Sequence, residues 1–160
     1  MHWPISFRIK LEAGRQRLKD GKNVRIPDEM CFTGFDAYRK VCELPIDLVL
    51  IASPNCFHPG HMKYAIEKGK HVFVEKPAAI DPAGYRTFVA AARQAANTGI
   101  NILPGTQYHF DRPFVASYQK VQEGLIGSII SGYAYYHTGR DQYIVRRPEW
   151  TDMEYMIRGH

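Results

Sequence analysis

An α/β fold built on a parallel sheet is what this sequence predicts, and three observations predict it. Asp47-Leu48-Val49-Leu50-Ile51-Ala52-Ser53 is a short apolar run closed by Pro54-Asn55, which reads as a strand buried on both faces. His71-Val72-Phe73-Val74-Glu75 is a second such run. Between them, Phe57 to Lys68 is long enough for a helix, with Met62, Ala65 and Ile66 on one face and Gly69 as the stop. A strand, a helix and a strand make one right-handed crossover, which forces the two strands parallel.

The other elements follow in order. Leu11 to Lys22 reads as a polar helix ending at Gly21, and Asn23 to Glu29 as a loop around the Pro27-Asp28 turn signal. Met30-Cys31-Phe32-Thr33 is a short strand, and Asp36 caps a helix through Glu43. After the crossover, Asp81 is an N-cap with Pro82 at the first helical position. That helix runs through Phe88, Val89, Ala92 and Ala95, and Thr98-Gly99 ends it. Asn101 to Pro104 is a further strand, Pro113 opens a helix to Glu123, and Ile129 to His137 has the β-rich composition of a last strand. From Thr138 onward no periodicity stands out.

Composition narrows the function. With 160 residues, 45 % of them hydrophobic, the chain can bury one core. The net charge of +5 comes from scattered basic residues, several of them (Arg15, Arg17, Lys19, Lys22) on one solvated helix. Aromatic residues do not interleave with them in a nucleic-acid-binding pattern, so no nucleic-acid partner is expected. No apolar run is long enough to span a membrane, and no signal peptide is visible. Cys31, Cys42 and Cys56 are odd in number and outside any CxxC spacing, which argues against a disulfide framework and for a cytoplasmic compartment. His58 and His61 lie three apart on one helix, but no third ligand follows at a suitable spacing, so no metal is expected.

In a parallel sheet ligands bind beyond the carboxyl ends of the strands. Ser53-Pro54-Asn55 and Glu75-Lys76-Pro77 fall at two such ends, side by side. The order of these segments, with His58, Gly69-Lys70-His71-Val72, Asp81-Pro82, Pro104-Gly105-Thr106-Gln107 and Gly124-Leu125-Ile126-Gly127, resembles the glucose–fructose oxidoreductase and inositol dehydrogenase (Gfo/Idh/MocA) family. The resemblance runs from Phe35 to about Trp150. It implies a partial Rossmann-type parallel sheet with the start of a second α/β domain. Residues 1–126 would be an incomplete NAD(P)-binding domain, and 127–160 the beginning of a truncated substrate domain. It also implies a fragment, because no GxGxxG turn occurs in the sequence and the later proton-transfer residues of the family have no counterpart.

The function implied is NAD- or NADP-dependent hydride transfer to or from a sugar, cyclitol or related polyol, with a homo-oligomer as the full-length form. A sensor of the same fold that reads the cofactor without turnover, or an inactive remnant, are the alternatives. Lys76 is the implied catalytic residue, an ammonium that holds the substrate hydroxyl and eases loss of its proton. Implied cofactor contacts are Ala52, Ser53, Pro54, Asn55, His58, Glu75, Lys76, Pro77 and Gln107. Glu75 reads as the group that orients Lys76, and the Lys76-Pro77 bond as a candidate cis peptide. For His58, a place near the cofactor and a local capping role both fit. His71 reads as a hydrogen-bonded structural residue. Tyr108 and His109 depart from the family pattern; a proton-shuttle role for His109 is the less favoured reading. Tyr133, Tyr135, Tyr136 and His137 read as core packing in preference to a sugar pocket.

Overall fold

The computed structural model describes residues 5–22, 24–137, 139 and 144–158, so Asn23 and Thr138 lie outside the described residues. The chain divides into two compact units, Met1–Pro104 and Gly105–His160.

The first unit is organised by the crossover. Strand β1 (Leu48–Ile51) pairs in parallel with β2 (His71–Glu75), with Val49 opposite Val72 and Ile51 opposite Val74. β3 (Ile102–Gly105) completes the sheet in the order β1-β2-β3. Ahead of the sheet come α1 (Ile5–Lys22) and α2 (Ala37–Glu43). The crossover helix α3 (His58–Glu67) starts from a 3-10 turn at Asn55–Phe57 and stops at Gly69, whose φ of 72° is left-handed. Helix α4 (Pro82–Thr98) begins as expected: the Asp81 carboxylate accepts the Gly84 amide at 2.7 Å. It ends on Gly99 at φ 73°.

One face of the sheet holds the core. Val49, Ile51, Val72 and Val74 alternate toward Met62, Ala65 and Ile66 of α3 and Ala91 and Ala95 of α4, with Cys42 of α2 at the margin. The opposite face corrects an expectation. β1 is not buried on both sides: Leu48 is 51 % and Leu50 69 % exposed. α3 and α4 give their apolar sides to the other face, and β1 is an edge strand, so alternate residues stay open among the described residues.

Two expected strands are absent. Met30 closes a 3-10 turn (Asp28–Met30), and residues 31–33 pair with no strand. Residues 129–137 form no strand ladder. Rings on alternate residues still stack there, Tyr133 on Tyr135 at 6.3 Å and Tyr135 on His137 at 5.8 Å. The side chains expected in a core are exposed, Tyr136 included. Composition favours a strand, but a strand requires a partner edge, and no described residue supplies one. Asp36 sits at the N-cap of α2 without a side-chain cap bond.

The second unit contains α5 (Arg112–Gln122) and α6 (Asp152–Arg158). α6 was not visible as periodicity, yet its start is written in Thr151 and Glu154. The Thr151 hydroxyl accepts the Glu154 amide at 3.2 Å, and the Glu154 carboxylate accepts the Thr151 amide at 3.0 Å. The Thr151 amide first, and the Thr151 hydroxyl donating to the same carboxylate oxygen at 3.1 Å, hold the Glu154 carboxyl below its ordinary range.

Candidate functional site at the carboxyl edge of the sheet

Because β1 and β2 are parallel and in register, the segments that leave them emerge at the same edge. Ala52 to Asn55 follows β1, and Lys76-Pro77 follows Glu75, the last residue of β2. The Lys76-Pro77 peptide is cis, as expected. Ala52 and Lys76 are exposed, while Ser53, Pro54, Asn55 and Glu75 are half-buried. The Glu75 carboxylate accepts the Lys76 backbone amide at 3.3 Å, so it shapes the backbone on which the ammonium is carried. The Lys76 side chain makes no ion pair among the described residues.

His58 joins the two segments. It is 0 % exposed. Its Nε2 lies 2.8 Å from the Ser53 carbonyl and its Nδ1 2.9 Å from the Pro77 carbonyl. Both ring nitrogens thus face backbone carbonyls, one in each loop. One turn further along α3, His61 Nδ1 lies 3.0 Å from the Ser53 hydroxyl. The His61 ring stacks on Tyr38 at 4.2 Å and on Phe57 at 5.6 Å. Burial first, and the neighbouring His58 second, lower its pKa to about 4. It is therefore neutral near pH 7, giving or accepting one hydrogen bond with Ser53 according to its tautomer. The i, i+3 spacing of the two histidines already placed both rings on one face of α3, and that spacing was the signal for their shared partner.

His71 is structural, as read: its Nδ1 accepts the Asn101 amide at 2.9 Å, tying the approach to β3. Beside β1 is a hollow of about 200 Å³ lined by Tyr38, Cys42, Val49, Ser53 and His61 among others. It is apolar and smaller than an ordinary cofactor pocket, and burial raises the Cys42 thiol pKa, which keeps that cysteine unreactive. Gln107 belongs to the second unit, where it starts an exposed 3-10 turn, Gln107–His109. In that turn the Thr106 hydroxyl lies 3.3 Å from His109 Nδ1, and Tyr108 stacks on Phe114 at 4.5 Å.

The donors at the sheet edge suit a ribose and phosphate: a serine hydroxyl, an asparagine amide and an ammonium, beside small, open Ala52. Comparison with known proteins identifies the family of the fold. Residues 15–101, more than half of the chain, match the model of the Gfo/Idh/MocA oxidoreductase family with an NAD-binding Rossmann fold. The 2,7-anhydro-N-acetylneuraminate hydratase of Escherichia coli K12 is 29 % identical over 117 residues, 72 % of this chain and 30 % of the hydratase. The NAD(+)-dependent scyllo-inositol 2-dehydrogenase of Bacillus subtilis 168 is 30 % identical over 95 residues, 59 % of this chain and 27 % of its own. A crystal structure of scyllo-inositol dehydrogenase from Lactobacillus casei, with bound NAD(H) and scyllo-inositol, superposes with a TM-score of 0.56 at 29 % identity. That match covers 72 % of this chain and 32 % of the other. The chain thus spans about a third or less of the length of these relatives.

Proposed function

The chain belongs to the Gfo/Idh/MocA oxidoreductase family, and on that premise we propose that it supplies the nicotinamide side of a hydride-transfer site for a sugar, cyclitol or related polyol. The observation that carries this reading is the meeting of the Ser53-Pro54-Asn55 and Glu75-Lys76-Pro77 loops at one edge of a parallel sheet. NAD or NADP, when bound, supplies the hydride acceptor or donor. Everything else in the proposal concerns the chain's own groups.

Ala52, Ser53, Pro54 and Asn55 bind along the nicotinamide ribose and its phosphate through backbone groups, the Ser53 hydroxyl and the Asn55 amide. Glu75 shapes the Lys76 backbone and contacts the ribose region. Lys76 presents Nζ to the substrate oxygen. An ammonium at that atom stabilises the alkoxide character that develops on the substrate oxygen as the hydroxyl proton passes to a general base, and the oxygen's electron pair forms the C=O bond as the carbon releases its hydride. Gln107 offers both a donor and an acceptor for the carboxamide. Three free cysteines support a reducing, cytoplasmic setting. Among the described residues no helix is long and apolar enough to cross a membrane.

The test has two arms. NAD and NADP are titrated against the purified chain, and hydride transfer is assayed with a panel of sugars and cyclitols, in the chain and in a full-length protein carrying these segments. Lys76→Ala is expected to lower turnover by about 10²–10⁴-fold while cofactor affinity changes far less. Turnover indifferent to Lys76→Ala would overturn the mechanism.

A further inference from the structure

The family reading assigns chemistry to Lys76 but leaves open what holds Lys76 in place. The side chain is exposed and without an ion pair among the described residues, so its position depends on the backbone beneath it. The backbone is anchored from α3. We propose that His58 is a positioning residue of the cofactor cleft, bridging the Ser53 and Pro77 carbonyls and so setting the separation of the serine loop from the lysine loop. The inference rests on the reading of these loops as the nicotinamide side of the site.

The chemistry of the ring suits this role. Both partners of His58 are carbonyl oxygens, which only accept. A ring with one N–H donates to one carbonyl and leaves the other facing a lone pair. A ring with both donates to each. The ring is 0 % exposed, whereas Ser53 is half-buried and Pro77 exposed, so a loop released by His58 loses a hydrogen bond from a buried donor and turns its carbonyl to water. The two nitrogens sit on different edges of a flat, rigid ring. Glutamine, the nearest neutral substitute, carries its two donors on one nitrogen and reaches one carbonyl well. His61 adds a second hold on the same residue, since it takes the Ser53 hydroxyl while His58 takes the Ser53 carbonyl. Of the two histidines, His58 is the one that reaches across to the lysine loop.

The experiment is backbone amide exchange on the whole chain, for the wild type, His58→Gln, His58→Phe and His61→Gln. Exchange at Asn55 and Cys56 and at Lys76, Ala78 and Ala79 is expected to rise together, by about tenfold or more, in both His58 variants. The strand amides of Val49 and Val74 should change much less. His61→Gln is expected to loosen Asn55 and Cys56 alone. A one-bond and long-range nitrogen–proton spectrum of the wild-type ring needs no variant, and should show slowly exchanging protons on both nitrogens of His58. A ring protonated at one nitrogen or neither, or loops that exchange as in the wild type while the whole fold merely melts earlier, would show that His58 does not bridge the loops and would overturn the proposal. NADH titration adds the functional readout: His58→Gln should weaken binding by about tenfold at a temperature where it is fully folded, and unchanged affinity there would also overturn it. A wild-type chain that binds neither NAD(H) nor NADP(H) would count against the cofactor reading, and the exchange data would still decide His58.

Discussion

Met62 in the crossover helix and Ile130 after α5 are both large apolar residues, and the two halves of the molecule treat them oppositely. Met62 is 0 % exposed, closed in by Val72, Val74 and the alanines of α4. Ile130 is 95 % exposed. The Met1–Pro104 unit has a parallel sheet on which helices can settle, so its apolar residues find one another. In the Gly105–His160 unit the described secondary structure beyond the end of β3 is helix and 3-10 turn, and aromatic side chains stack on one another where no strand is formed. A hydrophobic side chain stabilises a fold only through the surface it loses, whatever its identity.

The sharpest way to break this contrast is to truncate both residues. Met62→Ala is expected to cost about 2–5 kcal/mol of stability through lost burial and the cavity left behind. Ile130→Ala should stay within about 0.5 kcal/mol. Chemical denaturation of the two variants checks it, and comparable losses would mean that the second unit buries Ile130 after all.

Helix caps offer a finer comparison, because Asp81 and Thr151 both satisfy their helix amides. Asp81→Ala is expected to cost about 1 kcal/mol and to lower the melting transition of the first unit, since α4 is packed into its core. Thr151→Ala should fray the seven-residue α6 and leave that transition where it was. Circular dichroism melts, with helix-resolved exchange for α6, distinguish the two.

Acid should separate the units most gently. The His61 pKa is lowered from 6.5 to about 4 on folding, so between those values the unfolded chain binds more protons than the folded one. Its contribution is therefore present above about pH 6.5 and is lost as the pH falls toward 4. Glu154, also lowered, acts with the same sign on the second unit, but in the carboxylate range. Melts from pH 7 to 4 are expected to fall less steeply for His61→Gln than for the wild type. Equal slopes would mean that His61 is not held neutral.

Much of the first unit was legible residue by residue. Gly69 and Gly99 end helices with left-handed φ, Asp81-Pro82 opens one, and two apolar runs around a helix leave a parallel pair as the simple solution. These signals are local, read within a few residues of the ends they mark. The misses share a cause. Met30 to Thr33 and Ile129 to His137 have strand composition but no strand partner among the described residues, and Leu50 belongs to an apolar run whose second face is open there. Pairing and coverage are properties of neighbours far along the chain. The start of α6 was the exception, since Thr151 and Glu154 spelled a capping box that went unread for lack of a periodic apolar stripe.

The candidate site divides in the same way. Sequence by itself determined that Ser53-Pro54-Asn55 and Glu75-Lys76-Pro77 follow two buried-face strands and that two histidines share one side of α3, because strand order and helical period are written in spacing. Only the tertiary structure decided that His58 spans the Ser53 and Pro77 carbonyls and that His61 takes the Ser53 hydroxyl. A hydrogen bond is fixed by distances of about 3 Å, and such distances between residues 19 apart in the chain exist only once the sheet has set the loops side by side.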